Sequence, residues 1–319
     1  MAEAEGKAYT MNGGSGLYSY SKNSDFQREA IDAEREHINK AIAVELDIDI
    51  ISSSNTFRIA DLGCAAGPNT FLAVQNIIDA VEIKYQNQGK SSQCPEFHIF
   101  FNDHAANDFN PLFVSLPPKR RYFAAGVPGS FQDRLFPRAF LHFVHSSYSV
   151  QILSRVPKEV ENKRSPAWNK GRIHYSNSTD EVVKAYTAQY AKDMENFLKH
   201  RAEEIVHGGL MAFIIPGRPD GRPHSEVFAN KSCELLGSCL MDMANKGKIS
   251  SEKVDSLNFP LYFASPQEVE TAVRQNGCFS IEMMEIVPQE KPQLKAFTSS
   301  MRSGSENTIK KHFGEEILD

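Results

Sequence analysis

Residues 57–70 read Phe57-Arg58-Ile59-Ala60-Asp61-Leu62-Gly63-Cys64-Ala65-Ala66-Gly67-Pro68-Asn69-Thr70. A short apolar strand ends in Asp61, a loop with two glycines follows, and a helix is predicted from Asn69. In an open α/β sheet, ligands collect where loops leave the carboxyl ends of the strands. Gly63 and Gly67 let backbone pass close to a bound molecule, because no Cβ stands in the way. The motif is not the dinucleotide pattern G-x-G-x-x-G. It sets a carboxylate at the strand end, where a pyrophosphate needs backbone N–H groups and no negative charge. A ligand with a positive end fits better, and S-adenosylmethionine carries an ammonium and a sulfonium. Taken alone, the stretch is equally compatible with an ordinary strand–loop–helix unit.

Working outward, Phe97–Asn102 reads as a second strand ended by Asp103. A carboxylate there accepts both hydroxyls of a ribose, or opens an Asx turn with Asn102. Arg121–Ala125, Ala139–Tyr148 and Leu210–Ile215 are predicted as three more strands, and Phe279–Val287 as a sixth. The fourth ends in His145, Ser146, Ser147 and Tyr148, at the rim that also holds Asp61 and Asp103. Helices are expected over 25–46, 69–86 and 225–246. Another runs from a capping box at Ser178-x-x-Glu181 to a stop at Gly208-Gly209. A further one opens at Ser265-Pro266-Gln267-Glu268, and 293–319 reads as helical with a break at 302–305. Strands alternating with helices are the signature of a parallel, helix-covered α/β sheet. Residues 1–24, glycine-rich around 11–16, read as a mobile arm or lid. Residues 25–215 and 265–319 form the sheet core, and 216–264 an inserted helical cap.

With 319 residues the chain is long enough for one large α/β domain carrying an insertion. A net charge of −5 argues against a nucleic-acid partner, which usually meets a basic excess. The five scattered cysteines include no C-x-x-C pair, so neither a disulfide framework nor a cysteine zinc site is supported. Met1-Ala2-Glu3-Ala4-Glu5 lacks the basic start and apolar core of a signal peptide. No apolar run approaches the ~20 residues that span a bilayer. The expectation is a soluble, cytoplasmic protein with no membrane partner.

An ordered set of motifs runs along the chain. It comprises Tyr20-Ser21-Lys22-Asn23-Ser24-Asp25-Phe26-Gln27, the ADLGCAAGPN loop at 60–69, FNDHAANDFN at 101–110 and GVPGSF at 126–131. LFPR at 135–138, HSSYS at 145–149, LSRVP at 153–157, SPAWNKG at 165–171 and HFG at 312–314 continue it. Together these resemble the plant SABATH methyltransferases, over nearly the whole chain. These enzymes use S-adenosylmethionine to methylate carboxyl groups of small acids or ring nitrogens of xanthines. The resemblance implies a Rossmann-like methyltransferase sheet with a helical cap, as a homodimer. It assigns the cofactor to Tyr20, Ser24, Asp61, Gly63, Cys64, Asn69, Asp103, His104, Ser130, Phe131 and Ser147. It assigns the methyl acceptor to Asn12, Gln27, Tyr148, Gln151, Ile152, Tyr262 and Met301, with Gln27 and Tyr148 orienting it. A magnesium site shown by some members has its counterpart in Asn177, Asp255, the Leu257 carbonyl and Asn258. Against that stands the chemistry: magnesium prefers a largely hydrated octahedron, and one Asp with two amides is more often a turn network.

Members that methylate aromatic acids carry a lysine at the position of Asn12 and a tryptophan at that of Ile152. Ile152 removes an indole donor from the carboxylate clamp, which argues against a benzoate or salicylate acceptor. Relative to the family the chain also reads as shorter between Glu290 and Leu294. A carboxylate acceptor with pKa near 4.3 is already ionised, so the in-line displacement needs no dedicated general base. His145 accordingly reads as a hydrogen-bonding core residue rather than a base, and Cys64 as a packing residue. Carboxyl O-methylation leads, and xanthine-like N-methylation is the alternative. Other classes are a nucleotide-binding dehydrogenase, which the missing G-x-G-x-x-G disfavours, and a catalytically silent binding protein.

Overall fold

The computed structural model describes residues 9–51, 55–287 and 293–318. Its five strands are β1 (Thr56–Leu62), β2 (Glu96–Asp103), β3 (Tyr122–Pro128), β4 (Leu141–Ser147) and β5 (Ile205–Ile214). They line up in the order β3-β2-β1-β4-β5, and every ladder is parallel. The chain therefore builds outward from β1 in one direction and then crosses to its other side. That reversal lies between β1 and β4, and in such sheets the ligand crevice opens beyond the carboxyl ends of the two strands. Asp61 and His145 are direct partners in the β1–β4 register.

A parallel sheet must be covered on both faces, and side-chain alternation along β1 assigns one residue set to each. Phe57 and Ile59 pack with Ile38 and Ile42 of α1 (Asp25–Glu45) and with Val74, Ile77 and Val81 of α3 (Asn69–Asn87). Ala60 and Leu62 face Tyr186, Tyr190, Met194 and Phe197 of α6 (Asp180–Glu204). Short helices α2 (Ile48–Ile51), α4 (Phe109–Val114) and α5 (Lys158–Glu161) punctuate the connections. A third apolar cluster stands apart from the sheet. It joins Cys233 and Leu240 of α7 (Phe228–Asn245), Val254 of α8 (Ser251–Asp255), Phe259, and Ile309 of α10 (Leu294–Phe313). Helix α9 (Pro266–Asn276) opens on the expected capping box, with Ser265 and Glu268 bonding each other's backbone.

Several local expectations are corrected. No ladder reaches 279–287, where Ile281, Met284 and Ile286 stand exposed; an apolar alternation becomes a strand only with a neighbour to pair. Thr179, not Ser178, is the N-cap of α6, with no side-chain capping bond, and the Ser178 hydroxyl donates to Asn169 Oδ1 at 2.8 Å instead of capping. The glycines at 208 and 209 do not stop the helix, since α6 runs directly into β5. They lie in a bulge: Leu141 pairs with Ile205 and Phe143 already with Leu210. Helix α10 is unbroken across 302–305, held by Glu306 between Arg302 and Lys310 at i,i+4 spacing. The described part of the N-terminal arm is tied to that helix. Asn12 N donates to Ser303 O at 2.9 Å, Asn307 Nδ2 to Met11 O at 2.8 Å, and Arg302 stacks on Tyr18 at 3.7 Å. The shortening between Glu290 and Leu294 falls largely outside the described residues. Among the described residues no helix is long and apolar enough to cross a membrane.

Candidate active site

The β1 loop turns sharply at Gly63, whose φ of +79° favours glycine; a Cβ there would lie 2.0 Å from Ser149 Oγ. Gly63 N–H and Cys64 N–H both donate to the Asn102 carbonyl at 2.9 Å. The fully buried Asn102 then donates from Nδ2 to Val127 O at 2.8 Å and Gly129 O at 2.9 Å. One residue thus joins the ends of β1, β2 and β3, by its backbone carbonyl on one side and its side-chain amide on the other. Asp103 accepts from Ala65 N–H and His104 N–H, each at 2.7 Å. Burial raises its carboxyl above the usual range, while those two amides pull it back. Asp61 and Asp103 therefore share one rim, as the strand ends predicted.

A small, partly open cleft lies beside this loop. Tyr20, Asp61, Gly63, Cys64, Asn69 and Ser147 of the predicted cofactor set line it, and Gln27 of the acceptor set. Ser147 Oγ and Gln27 Oε1 are buried there without a hydrogen-bond partner. Buried polar atoms are nearly always paired, so both fit a site that a polar ligand completes. Burial raises the Cys64 thiol well above its ordinary range, and Asp103 and Asp61 add to that, so it is no thiolate nucleophile.

Ser24, Asp103, His104, Ser130 and Phe131 stand outside the cleft lining. Ser24 Oγ accepts from Asn69 Nδ2 at 3.0 Å, which joins α1 to the first turn of α3. Phe131 is buried edge-on against Phe197, with ring centres 6.1 Å apart. Ser130 Oγ accepts from Gln132 N–H at 3.2 Å. Of the acceptor set, Tyr148 sits in the left-handed region at φ +54° with its ring edge-on to Phe26. Gln151 donates to Tyr148 O at 2.6 Å. Ile152 bridges to Leu261, and Met301 is half-buried on α10. Of the acceptor set only Gln27 lines the cleft; Asn12, Tyr148, Gln151, Ile152, Met301 and Tyr262 stand outside that lining. Tyr262 is buried in a stack with Tyr175 and Tyr190, and its hydroxyl bonds Thr187 and Glu268. Sequence reading missed Ile31, Thr70 and Ala73 as lining residues and took His145, which it set on this rim, for a core residue; Gly67, read from the sequence as passing close to a bound molecule, does line the cleft. Helical spacing held the signal for some: Ile31 is i+4 from Gln27 and Ala73 is i+4 from Asn69.

Charge in the cleft is set by three buried groups. His145 is fully buried, with Nδ1 2.7 Å from Asp61 Oδ1 and Nε2 3.2 Å from Glu34 Oε2. The Thr70 hydroxyl donates to the other Asp61 oxygen. Burial pulls the imidazole pKa down, but the Glu34 and Asp61 carboxylates outweigh it and raise it to about 10. Elsewhere burial lowers His142 to about 4 and His174 to about 3. The signs oppose each other. His145 adds stability that is complete below pH 6.5 and lost as pH rises through about 10. The other two add stability present above pH 6.5 and lost as pH falls toward 4 and 3. Thermal melts are expected to fall on the acid side already between pH 6 and 5, before ordinary carboxylates near pKa ~4 titrate. A plateau reaching down to pH 4 contradicts this.

The proposed magnesium ligands do not fit a metal. Asp255 Oδ1 accepts from Gly171 N–H at 2.7 Å and Asn258 Oδ1 from Asn169 Nδ2 at 2.8 Å, while Asn177 is exposed. These oxygens hold a turn network together, and among the described residues no cluster of His, Cys, Asp or Glu could hold an ion.

The sequence matches the family described as SAM dependent carboxyl methyltransferase over residues 6–319. The chain belongs to this family. As a SAM-dependent carboxyl methyltransferase it takes S-adenosylmethionine as methyl donor. It is 48% identical to loganic acid O-methyltransferase of Catharanthus roseus, over 98% of this chain and 86% of that one. It is 42% identical to farnesoic acid carboxyl-O-methyltransferase of Arabidopsis thaliana, over 98% and 90%. Paraxanthine methyltransferase 2 of the same plant is 41% identical over 97% and 89%. A solved structure, loganic acid methyltransferase with SAH, superposes with a TM-score of 0.93 at 48% identity, covering 97% of this chain and 89% of that one. The α/β fold expected from the sequence is thus the fold of a carboxyl methyltransferase, and the dehydrogenase reading falls away.

Proposed function

We propose that this carboxyl methyltransferase acts on a small acid that carries hydrogen-bond donors beyond its carboxylate, held by Gln27, Gln151 and Asn12 with Tyr148. The carrying observation is that the amide oxygens of all three, Gln27 Oε1, Gln151 Oε1 and Asn12 Oδ1, are buried and unpartnered. For two of them the orientation is fixed, because the NH₂ groups of Gln151 and Asn12 already donate to Tyr148 O and Tyr18 O. Such oxygens reward hydroxyl or N–H groups on the ligand and leave an all-apolar acid with unmet acceptors. The sulfonium of the donor supplies a counter-charge to the acceptor's carboxylate, and no Lys or Arg is among the residues that line the cleft. When bound, S-adenosylmethionine supplies an electrophilic methyl group. The chain's own residues exclude water and align the nucleophile, without a base. The names of the relatives, among them loganic acid and farnesoic acid methyltransferases, favour a carboxylate over a xanthine nitrogen.

In the same reading the cofactor is held by Tyr20, Ser24, Asp61, Gly63, Cys64, Asn69, Asp103, His104, Ser130, Phe131 and Ser147. Residues 216–264 cap the core formed by 25–215 and 265–319, with 1–24 as lid. Homodimeric assembly and a cytoplasmic location belong to this proposal too, checked by light scattering and by localisation of a tagged chain. Labelled S-adenosylmethionine with hydroxylated acids, apolar acids, benzoate and xanthines tests the acceptor. Methyl esters of the hydroxylated acids are expected; turnover of apolar acids alone, or N-methyl product, refutes it. Asp103→Ala is expected to weaken S-adenosylmethionine at least tenfold, ~1.4 kcal/mol or more for a lost charge-assisted pair. Unchanged affinity in calorimetry removes Asp103 from the site.

A further inference from the structure

We propose that His145 is a positioning residue of the methyl-donor site, acting with Glu34 to hold Asp61 and to set the charge that meets the donor's ammonium. The inference rests on the proposed cofactor role of Asp61. Its geometry is unusual in one respect: both ring nitrogens face carboxylate oxygens, Nδ1 at 2.7 Å from Asp61 and Nε2 at 3.2 Å from Glu34. A neutral imidazole has one N–H and would turn a lone pair toward one of the two oxygens. A single extra proton, shared within the triad, satisfies both contacts. Wherever that proton resides, two carboxylates and one imidazole then sum to one negative charge instead of two. A net charge of −1 on the triad matches the one ammonium brought to Asp61, so that this local pairing sums to zero. A charge of −2 would leave an uncompensated buried anion.

Among the described residues that pack directly on the triad, none is a Lys or Arg. Glu34 comes from α1, Asp61 from β1 and the Thr70 hydroxyl from α3, while β5 sets Ala212 beside His145. Asp103 of β2 and the Tyr20 hydroxyl interact electrostatically with Asp61, and neither is positive. Burial lowers the imidazole pKa, yet the two carboxylates raise it to about 10, in keeping with a proton retained through the neutral range. His145 and Glu34 also lie where a rigid hold is possible, at 0% and 7% exposure.

The test compares two adenosine ligands by calorimetry. S-adenosylhomocysteine carries the ammonium, and 5′-methylthioadenosine lacks the whole amino-acid arm. For His145→Gln we expect S-adenosylhomocysteine to weaken at least tenfold and 5′-methylthioadenosine less than twofold. Glu34→Gln, which keeps volume and a hydrogen-bond acceptor, is expected to change the ratio in the same direction by about threefold or more, and stands in if the histidine variant does not fold. Equal weakening of both ligands, or an unchanged ratio, overturns the proposal, since a purely structural role does not distinguish them. Asp61→Asn separates the two layers. If it too leaves the ratio unchanged, the reading of Asp61 fails; if only Asp61→Asn shifts the ratio, the role of His145 fails.

Discussion

Asp61→Ala is expected to abolish measurable binding of S-adenosylmethionine, with affinity down at least a hundredfold, about 2.7 kcal/mol. It is also expected to lower folding stability by about 3–5 kcal/mol, the cost of leaving one member of a buried charge pair behind. Both effects come from one carboxylate with two loyalties. One oxygen meets His145 Nδ1 at 2.7 Å and the other accepts from Thr70, while the side chain lines the cleft. Removing it leaves an imidazole between Glu34 and nothing, in a place water does not reach. Asp61→Asn keeps an acceptor for Nδ1–H and loses only charge, so its stability loss is expected to be smaller than that of Asp61→Ala. Urea unfolding and calorimetry on the two variants check this. A stable Asp61→Ala protein with unaltered cofactor affinity refutes the central role given to this strand end.

The second large effect is expected outside the cleft lining. Arg201 and Glu204 of α6 form a completely buried pair, with Nη2 and Oε2 2.7 Å apart. Arg201 donates to Phe131 O at 2.8 Å and to Asp133 O at 2.9 Å. Glu204 accepts from the N–H groups of Leu135 and Phe136. One ion pair therefore holds the loop 131–136, which contains Phe131 of the proposed cofactor set, from both its carbonyl and its amide side. Arg201→Met is expected to cost about 3–5 kcal/mol by stranding Glu204. The double variant Arg201→Met/Glu204→Gln is expected to recover part of this and not all. The stranded charge is gone, but the carbonyls of Phe131 and Asp133 still lack their donor. Urea midpoints for the single and double variants give the coupling; strict additivity contradicts the arrangement.

How far the sequence reaches is clearest at particular residues. The strand ending in Asp61, the glycine loop and the helix from Asn69 were legible because periodicity, a turn and a helix start are local properties. The capping box at Ser265 and Glu268 was legible for the same reason, and formed. An equally good local pattern at Ser178 failed, and its hydroxyl bonds Asn169, a partner that nine residues of sequence do not announce. The apolar alternation over 279–287 failed as well, since a strand is defined by a neighbour. Tyr262 was carried over by motif and found in a tyrosine stack with its hydroxyl already bonded.

By itself the sequence determined the α/β class, the two acidic strand ends on one rim, and the family, since each is written in short contiguous motifs. Only the tertiary structure decided what surrounds those motifs. Glu34 stands 111 residues from His145, and His145 stands 84 from Asp61. They meet because β1 and β4 pair in a register that sets Asp61 against His145, and because α1 lies across that face. Register and packing minimise free energy over the whole core at once, so no local window contains them.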